Sequence, residues 1–444
     1  MNLKQKKFYI ETYGCQMNVA DSELIKTIMH DEGYELSNDI ADSDAIFVNT
    51  CAIRDHAEEK VHSQLGRYAL LKKEKPDIII GVLGCMAQNL KHDLLENRSF
   101  VDIILGPDSY RRLPELLKRK NVQKNSIVDT TLSRYEVYDG LFPHRDKKGV
   151  NAWISIMRGC DKFCTFCIVP FTRGRERSRS MNSILKEVKQ AVNDGYSEVT
   201  LLGQNVNSYR NNGINFEKLL QSIAEIPLLK RIRYTSPHPR DITDKLLHTM
   251  SKYENICNYI HLPLQSGSNK ILKRMNRTYT KSEFLDLALN IRKTLPNVGI
   301  STDIIVGFPG ETDQDFNETI DVMEKIKFDS AFNFKYSTRP GTKASEYDDQ
   351  IDELIKQERL EKIITLQKQH TLYRNHKLVG TVQSVLVEKE SKMSNKQWAG
   401  RTDSNKWVIF DKQGVSINEI VSVSITKAHG LTLRGELIKK VEAA

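Results

Sequence analysis

"AWISIMRGCDKFCTFCIVPFTRGRERSRS", residues 152–180, opens as an apolar strand and closes as an alternating arginine run. Between the two, Cys160, Cys164 and Cys167 are spaced C-x3-C-x2-C. Thiolate is a soft ligand that selects iron-sulfur clusters, zinc or copper(I). A structural zinc site closes with four ligands. Here only three cysteines are local, and the nearest histidine is His144. Three thiolates on a four-iron cluster would leave one iron free to bind something else. A zinc knuckle with a distant fourth ligand is the plainer alternative. The cysteines follow a strand, at the edge where barrel enzymes keep their active sites.

Downstream, "SEVTLLG", "RIRYTS", "NYIHLPL", "ISTDIIVGF" and "AFNFKYS" add five strand candidates separated by helical stretches such as "NSILKEVKQAVNDG". Six strand-helix units predict a partial (β/α)6 barrel, open on one side, where a full barrel needs eight. Gln204, Gln265 and Asp303 fall on or near strand ends and are candidates for a cofactor's polar groups. His238 and His261 also lie at strand ends, where a hydrogen bond to a loop is as good an explanation as a ligand contact. Cys257 has no partner cysteine nearby and reads as a buried free thiol. "FPGE", residues 308–311, is by itself a tight turn.

Upstream, "KKFYIETYG", "DAIFVNT", "DIIIGVLG" and "VDIILGP" alternate with helical patterns, which predicts a parallel sheet. Cys15, Cys51 and Cys85 each sit just past one of the first three strands. In a parallel sheet those ends share one edge, where ligands bind, so three dispersed cysteines converge in space.

The polar stretch from Val128 to Gly149 reads as a boundary, and about Asp348–Lys377 as one long charged helix. From His376 the short alternating runs predict a small antiparallel β-barrel with 11 Lys+Arg against 7 Asp+Glu and two exposed aromatics, Trp398 and Trp407. The expected domains are residues 1–140, 146–376 and 377–444. Across 444 residues the net charge is +9, compatible with a polyanionic partner or with a solvated surface. No apolar run reaches the roughly 20 residues of a membrane helix, and the N-terminus has no apolar signal core. A cytoplasmic, monomeric protein with no membrane association is expected, and its seven cysteines then read as ligands rather than disulfides.

Extended, "RGRERSR" would place Arg173, Arg175, Arg177 and Arg179 on one face. A basic stripe beside a metal centre suits phosphate contact, since arginine binds phosphate in bidentate fashion. A solvated strand is the bland reading.

C-x3-C-x2-C after the first strand of a partial barrel resembles the radical S-adenosylmethionine enzymes. "ETYGCQMNVADSE", "NTCAIRDHAEEKV", "GVLGCMAQ", "LLGQNVNSY", "HLPLQSGSNKIL", "MNRTYT" and "DIIVGFPGETDQDF" narrow the resemblance to the methylthiotransferases, in particular those of bacterial tRNA. It spans nearly the whole chain. It implies two 4Fe-4S clusters, one on Cys160, Cys164 and Cys167 and one on Cys15, Cys51 and Cys85, and a terminal RNA-binding TRAM barrel. It also implies S-adenosyl-L-methionine as cofactor, both radical source and methyl donor. The 5′-deoxyadenosyl radical would take hydrogen from C2 of N6-isopentenyladenosine in tRNA, and the second cluster would present the methylthio group. Phe163 and Phe166 would shield the first cluster, and Phe308–Glu311 would border the cofactor's adenine. An electron donor and a sulfur source are implied as partners. Rival substrates are N6-threonylcarbamoyladenosine in tRNA and a ribosomal protein side chain. A non-catalytic RNA-binding iron-sulfur protein is the rival of another class, although a binding module needs no open iron site.

Overall fold

The computed structural model describes residues 5–51, 55–120, 122–123, 125–145 and 149–438. The expected domain start at 146 and the last residues of the third expected domain lie outside the described residues.

The first unit is a six-stranded, fully parallel sheet in the order Glu35–Leu36, Lys7–Tyr13, Ala45–Thr50, Ile79–Gly84, Ile103–Leu105, Ile127–Asp129. Its central strand Ala45–Thr50 is buried along its whole length, as a strand covered by helices on both faces must be. The sheet carries separate apolar layers on its two sides, one around Phe8, Phe47 and Leu113 and one around Val48, Leu65 and Val82. The stretch expected to be a boundary begins with the last strand, Ile127–Asp129, which pairs with Ile103–Leu105.

The six expected barrel strands are present. Asn151–Ser155, Glu198–Leu202 and Arg231–Tyr234 form one parallel triplet. Tyr259–His261, Gly299–Val306 and Ser330–Lys335 form the other. A parallel bridge between Ile232 and Ile256 joins them. Strand alternation sorts the side chains. Ala152, Ile154, Val199, Leu201, Ile232, Ile300 and Ile304 pack outward into the core shared with the helices. Trp153, Thr200, Arg233, His261, Asp303 and Phe332 therefore face the lumen. Helices begin on residues suited to capping: Thr280 with Glu283, and Thr312 with Asp315, each form a reciprocal capping box. The long helix runs Glu353–His376, as expected.

The third unit is a closed five-stranded barrel, Val382–Ser391 to Thr432–Leu437. One pair, Trp407–Asp411 with Thr432–Leu437, is parallel, so the expected all-antiparallel pairing is corrected there. This barrel seals the amino-terminal end of the larger one. Arg233, which pairs with Glu198, donates to the carbonyls of Thr402 and Asp403, and Arg231 donates to those of Ser384 and Arg401.

Candidate active site

Cys51 and Cys85 directly follow Thr50 and Gly84, and Cys15 follows Tyr13 by two residues. Their three strands are immediate neighbours, so the thiols share one edge about two strand spacings wide, roughly 10 Å. Gly14 has φ +133°, and a Cβ there would stand 2.5 Å from Cys51 Cβ. Only glycine lets the chain turn that tightly beside a thiol. Cys15 caps the helix Gln16–Asp31, and its Sγ donates to Asn18 Oδ1 at 3.3 Å. A hydrogen bond from Cys51, helped against burial by the Arg173 charge, lowers the Cys15 thiol to about 6. Burial pushes Cys85 upward, against the pull of Arg173.

The second triad lies on a loop pinned at both ends. Cys160 N donates to Gly174 O at 3.1 Å, and Gly159 N donates to Gln204 Oε1 at 2.6 Å. Thr165 bonds to the backbone of Arg274 and Met275, while Asn276 Nδ2 holds the carbonyls of Lys162 and Phe163. Arg277, fastened to Tyr279 and Pro263 O, donates to Cys164 Sγ at 3.3 Å. Burial raises Cys160 to about 11 and Cys167 to about 12. A bound metal must displace those protons, and Arg277 supplies a positive charge toward the resulting thiolates.

The two triads belong to one junction. Asp21, fully buried on the helix after Cys15, is paired with both Arg158 and Arg173. Arg173 Nε in turn lies 3.1 Å from Cys85 Sγ, and Ile168 packs against Cys85. The arginine run is thus not the expected one-sided exposed stripe. Val169–Arg173 is a short helix, which breaks the alternation. Arg173, Arg177 and Arg179 are buried, the last two paired with Asp108 and Glu187. Burying an arginine demands such partners. Arg175 alone of the four is exposed, beside Asp161.

Gln265 sits at φ +68° and is buried, with no partner for its Oε1. Ser155 Oγ, at the end of the first barrel strand, is orphaned too. Unsatisfied polar atoms at strand carboxyl ends fit a bound polar small molecule. Asp303 is paired with His261 Nε2 at 3.3 Å, and His261 Nδ1 meets Ser301 Oγ at 2.8 Å. His238 is buried, which lowers it to about 2, and its ring Nδ1 accepts from Arg240 N. Cys257 is a buried free thiol. The buried carboxylate of Glu311 clamps Gly307 N and Arg359, fastening its turn to the long helix. Among the described residues, the group of metal-ligand atoms lying within 4.8 Å of one another is the exposed set His30, Asp31 and His144. A single tetrahedral zinc would need sulfurs roughly 3.8 Å apart. Neither cysteine triad has all three sulfurs within 4.8 Å of one another, although Cys15 and Cys51 are within hydrogen-bond reach of each other.

Residues 7–106 match the uncharacterized protein family UPF0004, residues 154–323 the radical SAM superfamily and residues 376–438 the TRAM domain. The tRNA-2-methylthio-N(6)-dimethylallyladenosine synthase of Amoebophilus asiaticus is 46% identical, over 97% of this chain and 92% of that protein. The protein of the same name from Porphyromonas gingivalis is 46% identical over 99% and 96%. This chain belongs to the tRNA-2-methylthio-N(6)-dimethylallyladenosine synthase family. Its fold is also that of more distant proteins. The radical S-adenosylmethionine methyltransferase TsrM of Kitasatospora setae aligns with a TM-score of 0.57 at 13% identity, over 77% of this chain and 75% of that one. The cobalamin-dependent radical enzyme OxsB aligns with 0.54 at 14%, over 81% and 56%.

Sequence reasoning missed Asp21, Arg158 and Arg277. The available signal for Asp21 was a polar face, Asn18, Asp21 and Ser22, on a helix otherwise ready for burial. Trp398 was expected to be exposed. It is buried in the small barrel, donating Nε1 to Val415 O, because its strand turns that side inward. Trp407 is half-buried under Lys389 and Arg401.

Proposed function

We propose that this chain replaces the hydrogen on C2 of N6-isopentenyladenosine in tRNA with a methylthio group. The observation that carries the reading is the junction at Arg173, where the edge bearing Cys15, Cys51 and Cys85 meets the loop bearing Cys160, Cys164 and Cys167. The family membership supports the reaction and its tRNA substrate. Cys160, Cys164 and Cys167 would hold one 4Fe-4S cluster, and Cys15, Cys51 and Cys85 a second. When bound, these clusters and S-adenosylmethionine supply the one-electron chemistry and the sulfur that an unactivated aromatic C–H requires.

The chain's own residues set the stage for that chemistry. Gln204 fixes Gly159, and so fixes where the cysteine loop starts. Arg277 stabilises negative charge on Cys164, and Arg173 does so on Cys85. Gln265, Asp303 and Ser155 offer polar atoms toward the lumen for the cofactor. The terminal barrel closes the lumen floor and so limits water. Among the described residues no helix is long and apolar enough to cross a membrane, and the reading places the work in the cytoplasm, with an electron donor and a sulfur source as further partners.

Nucleoside analysis of tRNA from cells lacking the protein tests this. The 2-methylthio-isopentenyl nucleoside should vanish and its unthiolated precursor accumulate. Loss of a threonylcarbamoyl derivative instead, or no change in tRNA, would overturn the reading.

A further inference from the structure

Two aromatic side chains line the lumen beside the residues proposed to meet the cofactor. On the last barrel strand, Phe332 and Phe334 are 53% and 46% exposed. Their direction follows from register. Phe332 is paired with Asp303 and Phe334 with Ile305, while Ile304, between those partners, is fully buried in the helix-facing core. Both rings therefore point into the lumen. Phe332 also meets the ring of His261 edge-on at 6.0 Å. The next residue on that face, Tyr336, is buried, in an apolar cluster that holds Phe308, Ile305 and Phe166 of the cysteine loop. The row of aromatic side chains thus runs from the cysteine loop into the lumen, and its last two members, Phe334 and Phe332, are left uncovered.

We propose that Phe332 and Phe334 form the subsite for the isopentenyl group of the substrate adenosine, and so set the enzyme's preference for a prenylated base. The inference rests on the substrate reading above. Three features of the site select this occupant. On that reading the adenine would reach between the two cysteine triads, with its N6 substituent directed toward the lumen. Two phenyl rings reward a neutral, branched hydrocarbon by removing apolar surface from water on both partners. A carboxylate-bearing substituent would instead lose its hydration against those rings, beside the Asp303 carboxylate, which is an unfavourable exchange. The position suits a specificity device also because exposed side chains contribute little to folding, so their residue type is free to answer to a ligand.

The test compares anticodon stem-loop RNAs that differ only at the target adenosine: unmodified, isopentenylated or threonylcarbamoylated. Binding is read by fluorescence anisotropy on anaerobically reconstituted full-length protein with S-adenosylmethionine present. The unaltered protein should bind the isopentenylated RNA about tenfold more tightly than the unmodified one, the scale on which apolar pockets discriminate. Phe332→Ala with Phe334→Ala should bring that ratio to within about twofold, leaving affinity for the unmodified RNA in place. Phe332→Leu with Phe334→Leu should restore most of the ratio. Iron content and melting temperature report whether each variant is folded. A double alanine variant that keeps the original ratio overturns the inference, as does equal binding of the two RNAs by the unaltered protein. Failure of the unaltered protein to methylthiolate the isopentenylated RNA is a separate result, which overturns the reaction and not the binding preference.

Discussion

Arg173 Nε lies 3.1 Å from Cys85 Sγ, so a guanidinium from the barrel is hydrogen-bonded to a thiol of the N-terminal sheet. Its Nη2 donates to Asp21 at 2.9 Å, and its Nη1 is buried with no partner. A cation so placed stabilises thiolate and whatever anionic group the triad holds. Arg173→Gln should cut the iron retained by reconstituted protein toward half, with loss confined to the N-terminal triad. Arg173→Lys should recover part of it, because charge is kept while the fork is lost. Iron analysis with electron paramagnetic resonance reads both sites. Full iron and unchanged spectra in Arg173→Gln would refute the role.

Asp21 answers two buried guanidiniums at once. Asp21→Asn should therefore destabilise the protein by about 3–5 kcal/mol, the usual result of stripping a buried ion pair of one partner. Chemical denaturation of the iron-free protein measures this, and limited proteolysis should show the N-terminal unit loosened from the barrel. A change under about 1 kcal/mol would mean that water replaces the carboxylate.

The thiols should separate by pH in iron-free protein. Cys15, lowered to about 6, should alkylate with half-maximal rate near that pH, whereas Cys160, raised to about 11, should stay a thiol through neutrality. The linkage has opposite signs at the two sites. An unfolded thiol titrates near 8.5, so the stabilisation from Cys15 is complete above that pH and lost as pH falls through about 6. The penalty for charging Cys160 works the other way, eroding stability as pH rises from about 8.5 toward 11. Mass spectrometric mapping of alkylation between pH 5 and 10 checks the order, which reversal would disprove.

Removing either triad should divide the activity. Reconstituted protein should carry about eight irons, the sum for two four-iron clusters. Replacing Cys160, Cys164 and Cys167 by Ala should leave about half and abolish S-adenosylmethionine cleavage. Replacing Cys15, Cys51 and Cys85 should leave cleavage but no methylthio product. Product formation without the N-terminal triad would remove it from the sulfur-bearing role.

The RNA grip should reside in the cations that remain exposed. Arg175 is exposed, and Lys389 stands over Trp407 on the small barrel's surface. Arg175→Gln and Lys389→Gln should each lower the slope of log affinity against log salt by about one unit if each meets a phosphate. Deleting the barrel is a poorer test, since it would uncover Arg231 and Arg233 at the lumen floor. Unchanged slopes in both single variants would assign the phosphate contacts elsewhere.

Much of this was present in the sequence because it depends on local rules. Strand-helix alternation dictates parallel sheets, and a parallel sheet places all carboxyl ends on one edge, so Cys15, Cys51 and Cys85 had to converge. The spacing of Cys160, Cys164 and Cys167 marked their loop for the same reason: ligands that close together serve one site. The long helix Glu353–His376 and the terminal barrel followed from periodicity.

What tertiary structure alone decided was which polar groups meet. An alternating arginine run has the same pattern whether solvated or buried. Arg173 is buried because Asp21, 152 residues earlier in the chain, reaches it across the junction. Trp398 turned inward because barrel closure, not its own neighbours in sequence, set its face. Phe332 and Phe334 resemble any strand's outward residues until register with Asp303 and Ile305 shows that they face the lumen. Periodicity constrains a residue relative to its own backbone. Charge pairing and enclosure depend on partners supplied by distant chain, and those distances exist only after the three units have packed.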